Sequence, residues 1–204
     1  MADIRIDGQE FRIGRWHFPA FAARAGECVT FCFPKEAWVD ADRIVACLTG
    51  MEPVAGLKLH TTVLFAKPAA SPSGWRRWFQ DPTPFEWLKK HTTLSEDAIR
   101  SFLLKHAMDG NIPLRRFAGT PRALLGLQAA YARKPGGVVF STAGLDPMGV
   151  RDTFRIVAEH LPECSAVYLS WPYVSCGQEH HDFFPGSARV TVCEDQQPTF
   201  ARRA

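Results

Sequence analysis

Val138-Val139-Phe140-Ser141-Thr142-Ala143-Gly144-Leu145-Asp146-Pro147 is the stretch on which the fold turns. Its first residues fit a strand covered on both faces, and they run without a break into a turn of small residues ending in Asp-Pro. Gly144 suits a sharp turn, and Asp146 is placed to cap a helix expected over 149–161. In that helix Val150, Phe154, Val157, Ala158 and Leu161 share an apolar face. A second apolar strand follows at 166–170, completing a βαβ unit.

Working outward, residues 3–6, 10–13 and 17–21 alternate polar and apolar, which predicts an antiparallel β-meander. Cys28-Val29-Thr30-Phe31-Cys32-Phe33 is a continuous apolar run, as a doubly covered strand requires, and Pro34-Lys35 breaks it. A helix is expected over 41–49, with Asp40 as cap and Ala41, Ile44, Val45 and Leu48 on one face. Gly50 and Pro53 end it, and 57–66 reads as a strand. Residues 67–84, rich in Pro, Ser, Trp and Arg, read as an exposed loop. Helices are predicted over 84–91 and over 96–107, the latter capped by Ser95 with Ile99, Phe102, Leu103 and His106 on one side. Another is predicted over 120–133, with Thr120 as N-cap and Pro121 at the first helical position. Its Leu124, Leu127 and Tyr131 are core candidates. Strand 188–193 closes the chain with an antiparallel finish. Residues 1–204 thus read as one domain, with an α/β core from 1–66 and 134–204 and a helical insertion at 67–133.

The bulk numbers exclude several classes. A length of 204 residues suits one domain with a sizeable core, and 46% hydrophobic with 22% charged residues is ordinary for a globular protein. The net charge of +3 is too small to argue for nucleic acid. No apolar run is long enough to span a bilayer. The acidic, alternating start Met1-Ala2-Asp3-Ile4-Arg5-Ile6-Asp7 is unlike a signal or transit peptide, so a cytoplasmic location is expected. Cys28, Cys32, Cys47, Cys164, Cys176 and Cys193 include no C-x-x-C pair, and most lie in apolar segments as small hydrophobes. Cys176, His180, His181 and Asp182 have the spacing to gather metal ligands, but a single thiol in a polar loop accounts for them without a metal.

Thr142-Ala143-Gly144-Leu145-Asp146-Pro147 resembles the D-loop of the ATP-binding cassette (ABC) nucleotide-binding domain. The similarity extends along the chain. Gly26-Glu27 precedes the first central strand, as a Gly-Glu pair does in that family. Leu48-Thr49-Gly50-Met51-Glu52-Pro53-Val54-Ala55-Gly56 is similar to the family's Leu-x-Gly-Leu-x-Pro-x-x-Gly after the phosphate-loop helix. Phe117-Ala118-Gly119-Thr120-Pro121, with its helix and Pro135, takes the place of the Leu-Ser-Gly-Gly-Gln signature. Strand 166–170 and Trp171 take the place of the switch-histidine strand. The resemblance implies an α/β, P-loop NTPase-like fold: a central, mostly parallel sheet, an N-terminal antiparallel β-meander and an inserted α-helical subdomain.

The departures from that family bear on activity. A phosphate-binding loop needs glycines, a lysine for the β/γ-phosphates and Ser/Thr for magnesium. The matching segment, Phe33-Pro34-Lys35-Glu36-Ala37-Trp38-Val39-Asp40-Ala41-Asp42, has no glycine and brings three acids where a triphosphate would sit. Only Lys35 is left to attract an anion. The strand before the D-loop-like turn ends without the Asp-Glu that holds magnesium and polarises water. Lys67 falls near the expected glutamine, Trp171 at the switch histidine and Ala118 at the signature serine, with Gly119 remaining beside it. The resemblance therefore implies a silent ABC-like domain, with no catalytic residue and no ATP or magnesium cofactor.

A silent cassette works by binding. The D-loop crosses the subunit interface in ABC dimers, so Gly144, Leu145 and Asp146 are candidate partner-contacting residues, while Asp146 as a helix cap explains the same aspartate locally. Trp75, Arg76, Arg77 and Trp78, continuing to Phe85, Trp87, Lys89 and Lys90, form a second candidate surface, since Trp and Arg are enriched at binding hot spots. Packing of the helical insertion, or base stacking beside arginines, are the alternatives; no wider basic field supports the latter. The implied partner is an ABC ATPase, a transmembrane protein or a second copy. An active composite-site ATP-binding subunit, and a binding protein that joins no transporter, are the competing readings.

Overall fold

The computed structural model describes residues 3–74, 81–171 and 183–194. The chain opens with four short strands, Ile4–Gly8 (β1), Phe11–Ile13 (β2), Trp16–Phe18 (β3) and Phe21–Arg24 (β4). Cys28–Cys32 (β5) and helix Ala41–Leu48 (α1) follow, then Leu57–Leu59 (β6) and Val63–Phe65 (β7). Among the described residues three α-helices come before the next strand: Pro84–His91 (α2), Glu96–Lys105 (α3) and Gly119–Tyr131 (α4). The chain then runs through Gly137–Ser141 (β8), Pro147–His160 (α5), Ser165–Ser170 (β9), Ala188–Thr191 (β10) and Cys193–Glu194 (β11).

The centre is a five-stranded sheet in the order β10-β5-β9-β8-β7, parallel throughout. Its middle strands read as apolar runs because both faces are covered. Successive residues go to opposite cores. Val138 and Phe140, like Ala166 and Tyr168, join one cluster with Leu124, Leu127, Phe154 and Val157 from α4 and α5. Val139, Val167 and Leu169 join the other, with Ile44 and Leu48 of α1 and the N-terminal Trp16 and Phe18. Burying each such large apolar side chain contributes about 1.5–3 kcal/mol.

Several sequence expectations shift. The single strand expected over 57–66 is two strands, because the chain turns at 60–62: β6 pairs antiparallel with β1, while β7 joins the parallel sheet. The meander divides between two small sheets, β4-β1-β6 and β11-β3-β2. The finish is not simply antiparallel, since β10 runs parallel to β5 and only β11 pairs antiparallel with β3. The helix over 120–133 begins at Gly119, with Ala118 and not Thr120 at the cap position. Asp40 precedes α1 but makes no side-chain cap, because its Oδ2 accepts a hydrogen bond from Trp16 Nε1 at 2.7 Å. The stretch 67–84 is not wholly exposed. Ala69 is buried and its amide donates to Arg122 O of α4 at 2.9 Å. Gly126 permits that approach, for a Cβ there would fall 2.0 Å from Lys67 O. The expected caps at Ser95 and Asp146 are both present, and α2 starts in a capping box of Thr83 and Glu86.

Candidate functional site

Parallel α/β sheets bind ligands at the carboxyl ends of their strands. Here that edge is built from two connections, one after β5 and one after β8. After β5, Lys35–Asp40 winds into a 3-10 helix instead of an open loop. Its amides are engaged within the segment: Ala37 N donates to Pro34 O at 3.1 Å, and Ala41 N to Trp38 O. Ala37 is buried while Lys35 and Glu36 are exposed. Phe33 stacks on Trp171 with ring centroids 4.5 Å apart, and Trp38 meets the same indole edge-on at 5.1 Å. Trp171 is 2% exposed and Trp38 53%. Asp40 is turned to Trp16 and lies 4.0 Å from Arg15 Nε, leaving Asp42 as the carboxylate on the cavity that opens here. That cavity, about 310 Å³, is lined mainly by apolar groups, among them Trp38, Val45, Phe65, Ala143 and Trp171, with Asp42 and Ser141 as polar members.

After β8, the chain makes a tight turn. Thr142 Oγ1 and Tyr168 Oη share a buried hydrogen bond of 2.7 Å. Leu145 N donates to Thr142 O at 3.1 Å, and Gly144 takes a left-handed φ of +78°, where a side chain would be strained. Asp146 Oδ1 accepts from Gly149 N at 2.8 Å, capping α5, and Oδ2 accepts from Thr120 Oγ1 at 2.7 Å. The Thr120 hydroxyl first, and the Gly149 amide second, hold the Asp146 carboxyl below its ordinary pKa. The start of α4 is pressed against this loop: a Cβ on Gly119 would lie 2.9 Å from Gly144 O, and one on Gly149 2.3 Å from Thr120 Oγ1.

The structure thus brings Gly119, Gly144, Leu145 and Asp146 together. Gly144 and Asp146 are exposed and Leu145 packs partly into the core. Asp146 does serve as the helix cap. Trp171 is a buried stacking residue, and Lys35 sits on the exposed side of the 3-10 helix. Trp75, Arg76, Arg77 and Trp78 lie outside the described residues, as do Cys176, His180, His181 and Asp182. Of the continuing surface, Phe85 lies under the Arg100 guanidinium at 4.7 Å, and Lys89 pairs with Glu96. Trp87 packs partly into the core and stacks on His91 at 4.3 Å beside a second cavity of about 340 Å³, which Lys67, Gly126 and Arg133 also line. Among the described residues no group of His, Cys, Asp and Glu is close enough to hold a metal ion, and no helix is long and apolar enough to cross a membrane. Sequence reasoning missed the Thr120–Asp146 bond; its signal was the glycine pair, Gly119 and Gly149, marking close approach of two helices.

This architecture is similar to that of ABC ATP-binding subunits of known structure. It superposes on the ATP-binding subunit of an ABC transporter with a TM-score of 0.59 at 12% identity, over 82% of this chain and 80% of that one. The match to cbiO1 of Clostridium perfringens, part of the ABC transporter complex cbiONQ, has a TM-score of 0.61 at 12% identity, covering 95% and 89%. RNase-L Inhibitor gives 0.58 at 15% identity over 83% of this chain and 34% of that one. No protein-family model and no curated protein sequence matches the chain. The α/β fold, with a five-stranded parallel sheet and N-terminal antiparallel sheets, is ABC-ATPase-like.

Proposed function

We propose that this protein is a non-hydrolysing ABC-ATPase-like subunit that acts by binding a partner ATPase, a membrane component or a second copy of itself. The observation that carries this is the connection after β5. Phosphate recognition needs outward-facing backbone amides, and here the segment is a 3-10 helix bonded within itself, with Trp38 standing against Trp171. Magnesium needs several oxygen ligands; β8 ends Val139-Phe140-Ser141 and Asp40 is held by Trp16, leaving Ser141 and a single carboxylate, Asp42, on the cavity. The residues present do not fit a magnesium–nucleotide complex.

Binding would use the exposed Gly144–Asp146 turn and the cavity beside Trp87, reinforced by Trp75, Arg76, Arg77 and Trp78. The subunit would then work in the cytoplasm, at the membrane's inner face through its partner. Purified full-length protein is expected to show no magnesium-dependent ATP turnover and no heat of nucleotide binding. Trp87→Ala is expected to reduce co-purification of its native partner while the circular dichroism spectrum is unchanged. Turnover of ATP with ordinary magnesium dependence would overturn the reading.

One feature favours a composite-site variant: the first turn of α4 carries no acidic residue and no side-chain cap, leaving Gly119 exposed at a helix N-terminus. In that case Gly119→Asp would abolish the activity of an added partner ATPase.

A further inference from the structure

The solvent face of the small β2-β3-β11 sheet carries chemistry that the partner-binding reading leaves unused. Register places Arg12, His17 and Cys193 in one row across the three strands. Their neighbours Phe11, Trp16 and Phe18 point into the core. Cys193 is exposed, and its Sγ lies 3.7 Å from His17 Nδ1. The other ring nitrogen, Nε2, lies 2.7 Å from Glu10 Oε1. A nucleophile beside a base that a third group orients is the arrangement that activates side chains for attack. We propose that Cys193 is a reactive thiol, the site at which this protein forms reversible mixed disulfides with low-molecular-weight disulfides, with His17 as its base and Glu10 as the group that holds the imidazole.

The step balances without further reagents. His17 Nδ1 takes the thiol proton, and the Cys193 thiolate attacks one sulfur of the small disulfide. The S–S bond of that disulfide breaks as the new one to Cys193 forms. The departing thiolate carries off the electron pair and takes the proton back from His17. Glu10 accepts from Nε2–H and favours the transient imidazolium. The charged neighbours are Arg12 in the same row and, on the adjoining residues, Arg15 and Glu194, which pair at 3.1 Å.

Three buried cysteines supply the contrast. Only the thiolate reacts, and burial pushes the thiol of Cys28 far up, that of Cys164 up to about 11, and that of Cys47 up as well. None of these three is paired with an imidazole. Selectivity for Cys193 over these three follows from exposure and from its base together.

The test uses the full chain, under native conditions, with the chromogenic disulfide dithiobis(nitrobenzoate). In a Cys176→Ser background one thiol per chain is expected to react in a fast phase, mapped to Cys193 by peptide mass and absent when Cys193→Ser is added. His17→Gln should slow that phase about tenfold at neutral pH, with the rates converging at alkaline pH where thiols ionise unaided. Glu10 is exposed, so Glu10→Gln keeps the fold and should slow the phase about threefold. A fast phase that survives Cys193→Ser, or one that His17→Gln and Glu10→Gln leave unchanged, would overturn the proposal.

Discussion

Two connections leave the same edge of the parallel sheet, and they are held in opposite ways. The turn after β8 is held by separate hydrogen bonds: Gly144 makes the bend, Asp146 caps the helix three residues on and accepts from Thr120, and Thr142 bonds Tyr168. The segment after β5 is held by residues far along the chain, with Phe33 and Trp38 against Trp171, and Asp40 bonded to Trp16. A connection held by several separate hydrogen bonds should lose little when one of them is removed. A connection fixed by a shared buried ring should lose its conformation with that ring, and with it the shape of the cavity.

The largest expected effect tests that asymmetry. Trp171→Ala removes the indole on which two other rings rest, and at 2% exposure it should destabilise the protein by about 3–5 kcal/mol in urea unfolding. Trp38→Ala, at 53% exposure, should cost about 0.5 kcal/mol. Similar values for the two variants would break the comparison. Next comes Gly149→Ala. Its new Cβ would stand 2.3 Å from Thr120 Oγ1, and helix α5 cannot move without opening the loop. A loss of about 1–3 kcal/mol is expected, and adding Thr120→Ala should recover part of it, a coupling that a double-mutant cycle measures. Full additivity would show that α4 and the turn are independent.

The same contrast explains how much of the molecule the sequence disclosed. The doubly covered strands at 28–32, 138–141 and 165–170 are legible because burial on both faces leaves a continuous apolar run. The Asp146 cap is legible because its partner amide is three residues away. Asp40 misled because the same local rule applied, yet Trp16, 24 positions upstream, holds the carboxylate. Thr120 misled likewise, since its hydroxyl goes to Asp146 across 26 positions and not to its own helix. The stack of Phe33 on Trp171 joins residues at opposite ends of the chain, and no local spacing reports it. Local hydrogen-bonding rules find the candidates for such groups; tertiary partners decide which of them win.

The last effect concerns Asp146, and its sign with pH separates the two connections most sharply. The carboxyl is held below its ordinary value of 3.8, by the Thr120 hydroxyl and then by the Gly149 amide. Between the depressed and the ordinary value the folded state binds fewer protons than the unfolded one, so stability rises with pH there. The contribution is therefore fully present above the ordinary value and fades as pH falls through the depressed one. Asp146→Ala should lower Tm by about 2–4 °C at neutral pH. The gap to the parent should hold steady down to about pH 5 and narrow below it, as differential scanning fluorimetry across pH will show. Near-ultraviolet circular dichroism of the tryptophans should be the same in both proteins, because none of the Phe33–Trp38–Trp171 contacts passes through the turn. A gap that stays constant into acid would mean that the side chain acts there by shape alone. A changed tryptophan signal would mean that the two connections are mechanically one.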